Sequence, residues 1–208
     1  MVIGISGVAG SGKDLFTELL IENLERRGDS AARVALADEL KEEVRDWCIT
    51  HYGTDPLLCS RTDKDKIRNF LVCHGVLKRQ LSNGRHWIEL AADRINEIKR
   101  DFKYIIISDI RYADYGADEA YWVQKELNGK LVHISQFQWS IDSDHGNEVK
   151  RYRAPANSEE KMNDPKVEKA ADFLLSWEFI RKKDPRNINK DKYVNNEVVK
   201  FIEWLDTQ

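Results

Sequence analysis

The chain has 208 residues, of which 41% are hydrophobic and 33% are charged, and its formal net charge is -3 at pH 7. This length is enough for one hydrophobic core and argues against two full domains. The slight acidity argues against the overall basic character of many nucleic-acid-binding proteins, but it leaves room for a local basic patch.

Cysteine, histidine and hydropathy patterns narrow the class further. The cysteines, Cys48, Cys59 and Cys73, are odd in number and lack C-x-x-C spacing, which favours a reducing cytosol over a disulfide framework. The five histidines form no H-E-x-x-H pattern, so we expect no transition-metal site built by the protein alone. No apolar run approaches the roughly 20 residues that a membrane span requires. We therefore expect a soluble cytoplasmic protein without a membrane partner.

A glycine-rich stretch near the start carries the strongest motif. Segment Gly7–Lys13 matches G-x-x-x-x-G-K, follows the apolar run Val2–Ile5 and precedes the amphipathic stretch Leu15–Leu24. A strand that passes into a helix through such a loop can bind phosphate. The glycines let backbone N–H groups point inward, and the lysine reaches the outer phosphates of a nucleoside triphosphate. The predicted nucleotide-binding residues are Gly7, Ala9, Gly10, Ser11, Gly12, Lys13 and Asp14.

Asp14 stands where this motif usually has Ser or Thr. The usual hydroxyl ligates Mg²⁺, and aspartate offers a charged oxygen of the kind that this ion prefers. We expect Asp14 to hold Mg²⁺ directly or through water. The alternative interpretation of the whole glycine-rich stretch is a strand-to-helix turn that binds no ligand.

A second predicted strand, Arg33–Leu36, leads into a helix that continues toward Tyr52. Asp38 stands at this junction, where it either caps the helix or contacts the sugar or base of a substrate. Lys41 follows one turn later and is either a solvated lysine or a substrate ligand.

A cation-rich helix is predicted from Asp63 through Leu77, and a further helix covers Trp87–Ile98. Most of these cations belong to a solvated face, but an acceptor that bears phosphate requires some of them. Arginine suits this role because its guanidinium grips phosphate oxygens in pairs. We place the acceptor-binding region at about residues 53–100. Its candidate ligands are Arg68, Arg79 and Arg85.

The apolar run Tyr104–Asp109 ends in an acid, which is typical of a buried parallel strand. Ligands of nucleotide-binding parallel sheets collect at the carboxyl ends of the strands. Asp109 is therefore predicted to meet Mg²⁺ or to accept a proton from an attacking hydroxyl, and Arg111 to meet a phosphate. The alternatives are a local salt bridge between the two residues and a cap on the next helix.

The remaining chain predicts a helix over residues 115–127, strands over 131–134 and 171–175, and a closing helix over 194–205. Alternating strands and helices indicate an α/β fold of three layers, with a five-stranded parallel sheet and helices on both faces. Residues 136–165 read as a long polar loop, either a lid carrying Arg151 and Arg153 or a disordered insertion. Residues 181–192 form a basic loop that is usually solvated but suits a polyanion.

Four of these pieces together resemble the bacteriophage-type deoxynucleoside monophosphate kinases, over most of residues 1–135. They are the phosphate loop, the turn at residues 37–41, the helix at residues 68–75 and the strand at residues 106–111. The resemblance implies a single P-loop kinase domain that uses ATP and Mg²⁺ to phosphorylate a nucleotide. It places Lys13 and Asp14 at the nucleotide, and Arg68 and Arg111 around the acceptor.

Three alternatives remain open. Animal phosphomevalonate kinases share the Gly-Lys-Asp ending and the strand-Asp-x-Arg element, so the acceptor need not be a nucleotide. Similar phage kinases phosphorylate 5-hydroxymethyluracil within DNA, a reaction in which Asp109 would serve as the base. The basic loop and the cation-rich face from Arg61 to Arg85 would bind the DNA. A nucleotide-binding switch without catalysis is the third. A phage-encoded protein would act in the host cytoplasm, and a homodimer is possible.

Overall fold

The computed structural model describes residues 1–142, 147–180, 184 and 190–208, in which strands and helices alternate. The strands are β1 Val2–Ser6, β2 Ala31–Val34, β3 Tyr104–Ile110, β4 Lys130–Ile141, β5 Glu148–Tyr152 and β6 Phe173–Glu178. The helices are α1 Lys13–Arg26, α2 Leu36–Glu43, α3 Arg45–Tyr52, α4 Arg61–Leu81, α5 His86–Ile98, α6 Glu119–Tyr121, α7 Ser158–Ala170 and α8 Lys190–Leu205. None of the described helices is long and apolar enough to cross a bilayer.

The sheet is mostly parallel, in the order β2-β3-β1-β4, with β6 also parallel to β4 and β5 antiparallel to it. Phe137 of β4 pairs with Tyr152 of β5 on one side of the strand and with Glu178 of β6 on the other side. Because β1 pairs with β4 only as far as His133, β5 takes over the edge that β1 leaves. The predicted α/β class is confirmed, but the described sheet has six strands and one runs antiparallel.

Helices cover both faces of the sheet, as the strand pattern predicts. Side chains of a strand alternate between faces, so Ile106 of β3 packs into a core with Phe16 of α1 and Phe201 of α8. Its neighbours Ile105 and Ile107 pack on the opposite face, against α2 and α5. This arrangement brings the carboxyl ends of β1, β3 and β4 to one edge.

Several predicted boundaries are wrong. The helix expected to continue toward Tyr52 is divided by Val44 into α2 and α3. The helix predicted over residues 115–127 shortens to α6 followed by a π-helical turn at Trp122–Glu126. Helix α8 begins at Lys190, earlier than predicted. Residues 181–183 and 185–189 of the predicted basic loop lie outside the described residues.

In the segment predicted as a long loop, residues 136–165, the described residues include the second half of β4, the strand β5 and the start of α7. Phe137, Trp139 and Ile141 alternate with polar residues, which suits a strand of the hairpin. The sequence does not predict helix α7, because this segment has little apolar periodicity and contains Pro165.

Candidate active site

The loop between β1 and α1 has the geometry of a phosphate cradle. Gly12, at φ +95°, is the N-cap residue of α1, and no side chain caps this helix. The backbone N–H groups of its first turn and the helix dipole therefore favour an anion here. The Ser11 hydroxyl is fully buried and has no hydrogen-bond partner among the described residues. The loop thus presents polar groups that a bound phosphate would satisfy.

Arg153, one of the two predicted lid arginines, lies directly on this loop. Its Nε donates to the carbonyl oxygen of Ala9 at 3.0 Å. A Cβ atom at Gly10 would come within 2.7 Å of the Arg153 guanidinium, so glycine permits the close approach. Arg151, the other lid candidate, lies opposite Gln138 in the β4–β5 hairpin.

Lys13 lies at the centre of the site. Its Nζ donates to the carbonyl oxygens of Gly7 at 2.6 Å and Val8 at 2.9 Å. Burial and the nearby Arg111 charge lower the pKa of Lys13 to about 8, although the carboxylates around it act in the opposite direction. With this pKa, the Lys13 ammonium loses its proton near pH 8.

Glu160, near the start of α7, was not a predicted site residue, but its carboxylate reaches the phosphate loop. Both of its oxygens accept from the Ala9 backbone N–H at 3.2 Å, and its Oε1 lies 3.5 Å from Arg111 Nη1. One sequence signal was available, because Asn157 and Glu160 have the spacing of a capping box, in which the Asn157 side chain accepts from the Glu160 N–H at 2.9 Å. A carboxylate therefore occupies part of the anion-binding loop.

Asp109, at the end of β3, caps helix α2. Its two carboxylate oxygens accept from the backbone N–H groups of Leu36 at 2.9 Å and Ala37 at 2.8 Å. The N-cap residue of α2 is Ala35, which has no side chain that can do this. The capping role considered for Asp38 therefore belongs to Asp109. Asp38 lies in the first turn of α2 and pairs instead with Arg33 and Lys41.

A pocket of about 240 Å³ opens beside the phosphate loop, between α2, α4 and the end of β3. One wall is apolar and includes Leu36, Leu40, Leu71, Val72, Val76 and Trp87. Its basic side chains are Lys41, Lys64, Arg68, Arg79 and Arg111. Burial lowers the pKa of Lys64, and the nearby Lys41 and Arg68 charges add to the effect. The pocket therefore joins an apolar surface with side chains of both charges, since its lining also includes the acids Asp109, Glu119, Glu159, Glu160 and Asp164.

The three predicted acceptor arginines have different environments. Arg68 lines the pocket, is half-exposed and pairs with Asp65 on its own helix. Arg79 also lines the pocket, but its guanidinium donates to both oxygens of the buried Asp118, at 2.8 and 2.5 Å. Arg85 is outside the pocket lining and donates to Glu126 at 2.6 and 3.0 Å. Of the three, Arg68 alone lines the pocket and has a solvent-exposed ion pair, whereas the guanidinium groups of Arg79 and Arg85 are each held by a carboxylate outside their own helix.

Glu119 is a further acid that the sequence did not single out. It is 4% exposed and lines the pocket, and its Oε2 accepts from the backbone N–H groups of Arg111 at 2.7 Å and Tyr112 at 3.2 Å. Burial raises the pKa of Glu119 to about 8. No local pattern marks this residue, since its role depends on the loop that follows β3.

Asp14 and Asp109 are the predicted metal ligands. Asp14 is exposed in the first turn of α1. The negative charges of Asp14 and Asp109 both act to raise the pKa of Lys13. Mg²⁺ keeps several waters and usually takes only one or two protein carboxylates together with substrate phosphates. The exposed carboxylate of Asp14 suits that donor set, whereas both oxygens of Asp109 already accept hydrogen bonds from the backbone of α2.

No family model and no curated protein matches the chain. Among solved structures, a shikimate kinase from Bacteroides thetaiotaomicron matches with a TM-score of 0.44 and 10% identity, covering 98% of each chain. A shikimate kinase from Aquifex aeolicus has a TM-score of 0.40 and 14% identity, covering 100% of this chain and 99% of its own. A third, from Acinetobacter baumannii in complex with shikimate, has a TM-score of 0.40 and 12% identity, covering 100% and 95%. At these values the likeness carries no argument about the acceptor.

Proposed function

We propose that this protein is an ATP-dependent kinase that transfers the γ-phosphate of ATP to a deoxynucleoside monophosphate. The observation that carries the proposal is the position of the pocket, which opens directly from the phosphate loop. Gly7 of the loop and Arg111 after β3 both line it. An acceptor in this pocket would face the outer phosphate of a triphosphate bound at α1.

The pocket chemistry supports a nucleotide as the acceptor. Its wall offers Leu40, Val72 and Trp87 to a flat base, while Arg68 and Arg111 offer guanidinium groups to a phosphate. Ligand sites commonly combine apolar walls with a few polar groups that fix orientation. A small acceptor without a ring would leave the apolar wall without a partner.

The protein's part in this reaction is to position and neutralise. The backbone N–H groups at the start of α1 and the Lys13 ammonium hold the triphosphate, and Arg111 and Arg68 neutralise the acceptor so that two anions approach in line. Asp109 keeps α2, and with it Leu36 at the pocket wall, against the end of β3. Mg²⁺ held near Asp14 and Asp109 would supply charge neutralisation at the phosphates.

The decisive experiment offers γ-labelled ATP and Mg²⁺ with a panel of free deoxynucleoside monophosphates and, in parallel, duplex DNA containing 5-hydroxymethyluracil. Label on a free monophosphate supports the proposal and identifies the substrate. Label on the DNA alone overturns it in favour of a DNA kinase. ATP binding without transfer to either acceptor contradicts it and favours a nucleotide-binding switch.

The DNA kinase is kept as a second candidate because of one surface. The β4–β5 hairpin exposes the aromatic side chains of Trp139 and Tyr152, and Lys150 Nζ lies 5.4 Å from the Trp139 ring centre. Exposed aromatic and basic side chains together are typical of surfaces on which unpaired bases stack.

Arg68→Ala should raise the Michaelis constant for the acceptor by about 10-fold, because a charge-assisted contact to its phosphate is lost. The Michaelis constant for ATP should change by less than about 2-fold, since Arg68 lines the proposed acceptor pocket and is not part of the phosphate loop. Steady-state kinetics with each substrate varied in turn measure both. Lys66→Ala, which removes an exposed cation from the same helix, is the control. Equal effects of Arg68→Ala on the two substrates would count against an acceptor role.

Glu160→Gln should strengthen ATP binding by roughly 5-fold, which corresponds to about 1 kcal/mol. The reason is that the Glu160 carboxylate holds the Ala9 N–H and neutralises part of the Arg111 charge in the absence of ligand. Calorimetric titration with ATP checks this. Glu159→Gln, a neighbouring acid that also lines the pocket, should have the smaller effect. Weaker binding to the Glu160 variant would show that the carboxylate assists ATP instead of competing with it.

ATP affinity should be steady below pH 8 and fall as the pH rises above it. The pKa of Lys13 is lowered to about 8 in the free protein, and the negative charge of ATP raises it in the complex. Binding therefore takes up a proton above pH 8, which opposes association there. Calorimetry between pH 7 and 9.5, in buffers with different heats of ionisation, detects this uptake. Lys13→Arg keeps its charge and should lose the dependence, whereas a variant that retains it would assign the proton to another group.

A further inference from the structure

Helix α4 has a second apolar face, on the side away from the acceptor pocket. Phe70, Cys73, Leu77 and Leu81 follow one another at three or four residues, so they form one line along the helix, which we call the α4 stripe. Leu77 and Leu81 are 50% and 76% exposed, and Cys73 is exposed as well. Arg79, nine residues after Phe70, projects from the opposite side of the helix and lines the pocket.

Two aromatic side chains of α3 widen the α4 stripe beside Phe70. The ring of Trp47 stacks on the ring of Phe70, with ring centres 4.5 Å apart. Tyr52 meets both rings edge-on, at 5.0 Å from Trp47 and 6.1 Å from Phe70. Trp47 and Tyr52 are nevertheless 43% and 49% exposed. A large apolar patch that stays in contact with water commonly marks an interaction surface.

The size of this surface suits a stable interface. A large apolar side chain buries about 150–250 Å² when it is fully covered. On that scale, the exposed parts of Trp47, Tyr52, Leu77 and Leu81 amount to roughly 500 Å². A standard protein interface covers about 800 Å² of each partner and has a polar rim around its apolar centre. The exposed Gln80, beside the stripe, would belong to that rim.

The charges around the surface favour a second copy of this chain as the partner. The α4 stripe consists of apolar side chains and a thiol, without a carboxylate or a cation. Asp63 and Lys66 precede it on the same side of the helix and pair with each other at 2.7 Å. A face without charge can meet its own copy without bringing like charges together, whereas a nucleic acid requires cations along its path.

We infer that the α4 stripe forms a homodimer interface, in which the α4 helices of two copies pack antiparallel about a twofold axis. An axis near residue 75 makes the stripe self-complementary, because Phe70 of each copy then meets Leu81 of the other, and Cys73 meets Leu77. A rise of 1.5 Å per residue and an interaxial distance of 8–10 Å put the two copies of Cys73 roughly 10 Å apart. The acceptor pockets stay open on the far sides of the helices, so the inference does not depend on the proposed function.

Sedimentation velocity over a hundredfold range of concentration tests the dimer. The mass of the parent should approach twice the 24.2 kDa of the chain at the higher concentrations. Leu77→Glu should raise the dissociation constant by at least about 100-fold, because the interface would then bury two unpaired carboxylates. Val199→Glu is the matched control, since Val199 is a partly exposed apolar residue of a different helix, α8. It should dimerise as the parent does.

Cys73 allows a second measurement, because it is the exposed one of the three cysteines. A short bismaleimide should join two copies of the parent covalently, as one thiol from each copy adds across a maleimide double bond. Cys73→Ser should remove this product. Leu81→Glu, at the most exposed position of the stripe, repeats the sedimentation test at a site where a change of side chain is least able to disturb the fold.

Several results would overturn the inference. A parent that stays monomeric at every concentration would do so, even if another molecule were found to cover the stripe. A dimer that persists in both Leu77→Glu and Leu81→Glu would be held by a different surface. Dissociation of the Val199→Glu control would assign the effect to the added charge, and a cross-link that persists in Cys73→Ser would exclude the twofold arrangement. Circular dichroism establishes that each variant is folded.

Discussion

Lys13→Ala should lower kcat/KM by about 10³-fold, the loss expected when a preorganised group that stabilises transferred charge is removed. In the free protein the Lys13 ammonium donates to two carbonyl oxygens of its own loop. It therefore lies within reach of the position where the phosphates would bind. Alanine removes the charge and leaves the anion with backbone N–H groups alone.

The measurement is the rate of label transfer from ATP to the best acceptor of the panel. Circular dichroism and thermal unfolding establish that the variant is folded. Lys161→Ala, an exposed lysine of α7 outside the acceptor pocket lining, is the control and should retain parental activity. Activity of Lys13→Ala within about 10-fold of the parent would be too small a loss for the role assigned to this lysine.

Arg79→Met should lower the free energy of unfolding by about 3–5 kcal/mol, the usual cost of breaking a buried ion pair from one side. Arg79 is 6% exposed and Asp118 is 0% exposed, and the guanidinium also lies 3.7 Å from the Tyr112 ring centre. Without Arg79, the Asp118 carboxylate keeps its backbone donors but loses its counter-charge. Methionine fills much of the volume, so the loss reports mainly on the charge.

Urea unfolding of parent and variant measures this effect, provided that the slope of the free energy with urea is unchanged. Arg85→Met provides the matched control, because Arg85 pairs with Glu126 at a more exposed site. We expect it to cost no more than about 1 kcal/mol. If Arg79→Met were as stable as the parent but bound the acceptor poorly, Arg79 would be a substrate ligand as the sequence predicts, and its structural role would be wrong.

The residues that could be predicted from sequence act through near neighbours in the chain. Gly12 and Lys13 belong to one turn between a strand and a helix, and such a turn takes its shape from its own backbone. The end of β3 could likewise be located, since a buried run that stops at Asp109 marks the carboxyl edge of a parallel sheet. What Asp109 does there could not be predicted, because its partners Leu36 and Ala37 lie more than 70 residues earlier.

The β4–β5 hairpin is a different case, because its sequence contains a strand pattern together with a stronger indication of a loop. Phe137, Trp139 and Ile141 alternate with polar residues, but the high polarity of residues 136–165 favoured a loop. A lid of the predicted kind would have no fixed place on the loop. The hairpin instead brings Arg153 onto Ala9 through a hydrogen bond of 3.0 Å.

The sequence by itself determined the α/β class, the glycine-rich loop between β1 and α1, and the edge of the sheet where the candidate site lies. These depend on short-range periodicity and on glycines at fixed spacing. Only the tertiary structure decided which charges serve the site. Arg79 is held by Asp118, Arg85 by Glu126, and Glu160 comes from 151 residues beyond Ala9 to bind its N–H. Whether a charged side chain is free to bind a ligand depends on the partner that lies nearest to it in space. The position of a residue in the chain does not reveal that partner.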